Sequence, residues 1–76
     1  MIDKELFNFL KILYDIDNKL NTITEQEVKK LFKNNKYYNV RKYCLDNNFI
    51  KIEYNNVYLT FDGLAFFKNL NKLRYF

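Results

Sequence analysis

The sequence predicts an α+β fold, with a core of three helices, a two-stranded antiparallel hairpin and a C-terminal helix in one domain spanning residues 1–76. Three observations carry this expectation. Apolar residues recur at helical spacing over residues 3–17, a capping box opens a second helix at Thr24, and from Phe49 the apolar period becomes two. Apolar residues make up 49% of the 76 and aromatic residues 20%, enough for a compact core and too much for a disordered tail. With one cysteine, Cys44, and no histidine, the chain alone can assemble neither a disulfide framework nor a zinc site. Plain hydrophobic packing must hold it together.

The first helix places Leu6, Phe9, Leu10, Leu13 and Ile16 on one stripe, with Asp3 as its cap and Glu5 in its first turn. Phe7, Ile12 and Tyr14 widen that stripe beyond what one small core uses. Together with Phe66, Tyr75 and Phe76 near the C-terminus, they point to a homodimer interface through the first helix, the C-terminal helix, or both. A short strand is expected at residues 21–23. Thr24-Glu25-Gln26-Glu27 then forms the capping box, flanked by Ile23 and Val28 as a hydrophobic staple. The second helix starts at Glu25, turns Val28, Leu31 and Phe32 inward, and stops at Asn34-Asn35, residues that tolerate left-handed backbone.

A third helix is expected over residues 36–47. At about 100° per residue, Tyr37, Val40, Tyr43 and Cys44 gather on an inner side, and Tyr38, Asn39, Arg41 and Lys42 on an outer one. Leu45 falls at the edge of the outer arc and is expected to pack under a neighbouring strand. Beyond Asn47-Asn48, Ile50, Ile52 and Tyr54 alternate with Lys51 and Glu53, and Val57, Leu59 and Phe61 with Tyr58 and Thr60. With Asn55-Asn56 as a two-residue turn, Tyr54 faces Val57, Ile52 faces Leu59 and Ile50 faces Phe61. Thr60 caps a last helix that ends near Arg74 and turns Leu64, Phe67, Leu70 and Leu73 inward.

Charge is distributed unevenly. Residues 28–45 hold six cations (Lys29, Lys30, Lys33, Lys36, Arg41, Lys42) and no acid, whereas the rest of the chain sets seven cations against nine acids. The formal charge of +4 therefore belongs to one segment, the electrostatic footprint of a polyanion partner. Several function classes fall away. Serine and histidine are both absent, which removes Ser-His and Cys-His nucleophile pairs and the commonest general base, so no enzyme and no cofactor is expected. Asp15 and Asp17, two apart on a helix, lie on different faces and make a poor metal pair. No apolar run reaches the ~20 residues needed to cross a bilayer, and Asp3 and Glu5 stand where a signal peptide carries positive charge. A soluble, cytoplasmic protein with no membrane partner is expected.

Two helices joined by a tight turn and followed at once by a hairpin resemble the winged-helix variant of the helix-turn-helix. The capped helix from Thr24, the basic helix after Lys36, and Asp46-Asn47-Asn48-Phe49-Ile50 carry the resemblance; the last is similar to the acidic-x-Gly-Leu-Ile exit of such domains, with Asn48 in the glycine's place. Leu59-Thr60-Phe61-Asp62-Gly63 is similar to their Leu-Thr-x-x-Gly. The resemblance implies a sequence-specific, double-stranded DNA-binding regulator of transcription. Such a regulator would act as a homodimer, with third helices in major grooves roughly 34 Å apart. Asn39 would pair with adenine, and Arg41 or Lys42 would read guanine or clamp phosphate, with Tyr38 against phosphate or a thymine methyl. Lys29, Lys30, Lys33 and Lys36 would neutralise phosphates, and Asn55 and Asn56, without a cation, would form the wing tip. A reading from another class is a protein-interaction module of the same fold, such as a small viral or plasmid-encoded modulator that docks an acidic partner.

Overall fold

Apolar side chains at helical spacing fold into α1 (Lys4–Asn18) in the computed structural model, which describes residues 4–73. Leu6, Phe9, Leu10 and Leu13 are buried, as their spacing requires, and α1 packs on every later helix and on the second strand of the hairpin. Each fully buried Phe or Leu contributes about 1.5–3 kcal/mol. Ile16 is half-buried. The expected cap Asp3 lies outside the described residues, as do Arg74, Tyr75 and Phe76.

Helix α2 (Glu25–Phe32) starts where the capping box places it. The Glu27 amide donates to Thr24 Oγ1 at 3.2 Å, and the Thr24 amide donates to Glu27 Oε1 at 3.0 Å. The helix ends earlier than expected: Lys33, not an asparagine, takes the left-handed conformation at φ 52°, and its amide donates to the Lys29 carbonyl. Asn34 instead accepts the Lys36 amide on its side chain at 2.8 Å, a turn that launches the next helix. Leu31 is not a core residue. It is 56% exposed, because a helix of eight residues offers α1 only a narrow stripe, which Val28 and Phe32 occupy.

Helix α3 (Tyr37–Asp46) buries Tyr37, Val40 and Cys44 and half-buries Tyr43, while Tyr38, Asn39 and Lys42 face outward. Burial raises the Cys44 thiol to about 12, which leaves it inert. Leu45 stays on the surface and not under a strand; the approach to the hairpin is made by Tyr43, whose ring lies 6.2 Å from that of Phe49. Asn48 does occupy a glycine-like position, at φ 59°, and the Phe49 amide closes the helix end on the Cys44 carbonyl at 2.8 Å.

The hairpin pairs β1 (Ile50–Glu53) with β2 (Asn56–Leu59), and its register differs from the expected one. Ile50 faces Leu59, Lys51 Tyr58, Ile52 Val57 and Glu53 Asn56, so the turn residues are Tyr54 and Asn55, both at positive φ (50° and 68°). Apolar alternation fixes only which side chains share a face, and moving the turn by one residue on each strand leaves that parity intact. The choice is made by a neighbour. Thr24 bridges Asn56, the Glu25 amide donates to the Asn55 carbonyl at 2.8 Å, and the Val57 amide donates to the Ile23 carbonyl at 2.9 Å. The strand expected at residues 21–23 is thus reduced to this bridge. Tyr54 and Phe61 consequently leave the core: Tyr54 is 97% exposed at the tip, and Phe61 is 83% exposed as the first residue of α4 (Phe61–Leu73).

Thr60 caps α4 as expected, accepting the Gly63 amide at 2.9 Å. Gly63 is demanded by a close approach, since a Cβ there would lie 2.0 Å from the Phe49 carbonyl oxygen. Phe67 and Leu70 are buried and Leu64 half-buried, but Leu73 is half exposed, because nothing among the described residues covers the last turn of α4. The surplus apolar width of α1 is taken up inside the chain. The rings of Phe7 and Tyr14 sit 5.2 and 4.8 Å from Phe67, and Phe66 stacks on Phe49 at 4.2 Å.

Two substitutions test these constraints in opposite directions. Gly63→Ala forces the start of α4 off the Phe49 carbonyl and lowers stability by about 1–3 kcal/mol in chemical denaturation. Tyr54→Asn places a residue tolerant of left-handed backbone at the tip and raises stability by about 0.5–1 kcal/mol.

Candidate nucleic-acid interface

The N-terminal half of α2, the N-terminal half of α3 and the hairpin tip enclose an open cleft of about 550 Å³, lined by Glu25, Lys29, Tyr37, Tyr38, Arg41 and Asn55 together with Thr24 and Gln26. The helical period dictates this grouping. Glu25 and Lys29 are one turn apart on the flank of α2 that faces α3, and Tyr37 and Arg41 are one turn apart on the flank of α3 that faces α2. Lys29 Nζ donates to the Tyr38 hydroxyl at 2.9 Å and lies 4.7 Å from the centre of the Tyr38 ring, joining the two helices at the surface.

Beneath that contact lies a charged one. Glu25 Oε2 accepts from Arg41 Nε and, at 3.1 Å, from the hydroxyl of Tyr37. The guanidinium holds the Glu25 carboxyl below its ordinary value, and the same bond raises Arg41 above its own. Burial, reinforced by the hydrogen bond to Glu25, pushes the Tyr37 phenol well above the usual range. The core of the protein therefore reaches the surface through Tyr37, then Glu25, then Arg41.

The residues singled out in the sequence separate on folding. Lys29, Tyr38, Arg41 and Asn55 share the cleft. Asn39 and Lys42 are exposed on the outer face of α3, with Lys42 paired to Asp46 at 2.7 Å. Arg41 is only 31% exposed and sits at the border of that face, turned toward α2 by Glu25. Lys33 is exposed at the α2 C-cap. Lys30 leaves the group: it lines a different groove, with Ile16, Ile23, Glu27 and Leu31, on the α1 side of α2. Lys36 lies 3.8 Å from Glu5 at the start of α1. Asn56 is not at the tip; it is a strand residue, paired with Glu53 and bridged to Thr24.

A stretch free of acids along the chain is thus not free of them in space. Three of its six cations meet carboxylates from outside it: Arg41 with Glu25, Lys36 with Glu5 and Lys42 with Asp46. Only the Lys42 pair is legible in the sequence, as an i, i+4 spacing. Glu25 and Tyr37 were not anticipated at the site at all. Glu25 reads as the first residue of a capped helix and Tyr37 as core, and no local spacing signals a partner sixteen residues away in Arg41.

No group of metal-ligating side chains occurs among the described residues, and none of their helices is long and apolar enough to cross a membrane. Comparison of the chain with protein-family models, with curated proteins and with solved structures finds no match.

The carboxylate of Glu25 sets a pH dependence. Its folded-state value lies below the ordinary 4.5, so the unfolded chain binds the proton first as pH falls. The stability it contributes is present above about pH 4.5 and is lost as pH drops through the folded-state value. Glu25→Gln therefore lowers stability by about 1 kcal/mol at neutral pH. In denaturation series from pH 7 to 3, the gap between variant and parent narrows toward the acid end.

Proposed function

We propose that this chain binds double-stranded DNA and regulates transcription, presenting the outer face of α3 to a major groove as a winged helix does. The observation that carries the proposal is the joining of three elements around one open cleft. Lys29 comes from α2, Tyr38 and Arg41 from α3, and Asn55 from the hairpin tip. The order helix, turn, helix, hairpin resembles that of the winged helix, and an α-helix such as α3, about 10–12 Å across with its side chains, fits a groove roughly 12 Å wide. Asn39 and Lys42 are the outward side chains of that helix, and Lys29 and Lys33 flank it as phosphate contacts. Lys30 and Lys36 contribute to the general field and not to the docked surface.

Pairing of two copies through α1 or α4 loses part of its motive, because Phe67 already covers Phe7 and Tyr14. DNA binding by a single copy is the simpler form of the proposal, with Lys29, Lys33 and Lys42 supplying the sequence-independent part of the affinity.

Gel shift on random-sequence duplex tests the proposal. At about 50 mM salt the chain binds at micromolar concentration or tighter, and log affinity falls linearly with log salt. Lys33→Ala and Lys42→Ala each reduce the slope by about one unit, whereas Lys30→Ala changes it least. Absence of binding at low salt favours docking to an acidic protein surface instead.

A further inference from the structure

We infer that Glu25 is a positioning residue that makes Arg41, and not Lys42, the guanine-reading side chain of this surface. The inference rests on the DNA-binding reading and adds to it a specificity determinant that lies outside the helix that does the reading.

A bidentate contact to O6 and N7 of guanine needs two parallel N–H donors held in a fixed direction. Arginine has five donors in a rigid fork, but a free arginine loses much rotational freedom when it docks. Here that freedom is already restricted. Glu25 accepts from Nε, the one donor that does not belong to the terminal pair, and this is the hydrogen bond that the Arg41 side chain makes among the described residues. The planar head is thus fixed at Nε, which leaves the terminal pair for a ligand, and the side chain lines the open cleft enclosed by α2, α3 and the hairpin tip.

Glu25 is itself held from three directions. Its amide donates to the Asn55 carbonyl at 2.8 Å, its position as the first residue of α2 is set by the Thr24 capping box, and its carboxylate accepts from Tyr37, a buried residue packed against Phe9 and Phe32. Lys42 contrasts at each point: its side chain is 75% exposed, its partner among the described residues is Asp46 one turn along the same helix, and it lacks a fork. It suits phosphate. A pair that is partly open to solvent contributes only modestly to stability, so preorganisation is the larger consequence of the arrangement.

The experiment is a selection of duplexes bound by the full chain, followed by competition with all four base pairs at each selected position, for the parent and for Glu25→Gln, Arg41→Lys, Arg41→Ala and Tyr37→Phe. The parent prefers guanine at one position by about 5- to 150-fold. Arg41→Lys and Arg41→Ala abolish that preference. Glu25→Gln removes most of it while affinity for random duplex rises, because a negative charge beside the polyanion is gone. Tyr37→Phe, which releases only the hydroxyl bond, produces a smaller loss at the same position and at no other. Circular dichroism confirms that each variant is folded. A preference that survives in Glu25→Gln, or one that falls equally at every position along with overall affinity, overturns the positioning role. A selected sequence with no guanine position sensitive to Arg41 does the same. Absence of salt-dependent duplex binding by the parent removes the DNA-binding reading itself, a result distinct from either.

Discussion

The segment Ile23-Thr24-Glu25 is the constraint on which the remaining geometry depends. Its Thr24 hydroxyl starts α2 together with the Glu27 carboxylate, its backbone pairs with the free edge of β2, and its Glu25 carboxylate crosses to α3. Three elements distant in sequence are tied within three residues. The backbone bonds from Ile23 and Glu25 settle which residues form the hairpin turn, a choice that side-chain alternation leaves open. They place Tyr54 in a left-handed conformation that a tyrosine adopts only at a cost, and they bring Asn55 to the rim of the cleft. Helix start, hairpin position and site charge are therefore coupled, and a change at Thr24 would be felt in all three.

Much of this architecture was legible in the residues, because its signals are local. Leu6, Phe9, Leu10 and Leu13 identified the buried face of α1, the capping box identified the first residue of α2, and Thr60 identified the start of α4. Asn48 stood where a glycine is usual, and its φ of 59° explains why. What failed was non-local. The hairpin turn moved by one residue because Thr24, some thirty positions away, pairs with Asn56 and not with a residue nearer the tip. Leu31 and Leu73 satisfy a helical apolar pattern yet face outward, since periodicity says where a residue points and not whether another element is there to meet it. The site was legible to the same extent: the exposure of Tyr38, Asn39 and Lys42 follows from the period of α3, whereas the partner of Arg41 does not.

Charge tells a similar story. Counted along the chain, six cations form an uninterrupted basic stretch. Folded, they divide by direction: Lys29 and Arg41 into the cleft, Lys33 and Lys42 beside it, Lys30 toward the groove behind α2 and Lys36 toward Glu5 of α1. The three carboxylates that fold in against Arg41, Lys36 and Lys42 lower the local potential without abolishing it, and the more exposed pairs of Lys36 and Lys42 are weak and exchange readily for phosphate. Arg41 differs from Lys36 and Lys42 in being the least exposed of the three paired cations and in carrying a planar fork, which fits recognition better than bulk neutralisation.

The proposal that this surface meets a duplex is tested most directly by amide chemical-shift mapping of the isotope-labelled chain during titration with DNA. The account predicts that the residues that shift first and furthest are Lys29, Lys33, Tyr38, Asn39, Arg41, Lys42 and Asn55, with Ile12, Ile16 and Leu31 on the other side of α2 unmoved. Perturbations centred on those three, or none at any DNA concentration, would contradict it.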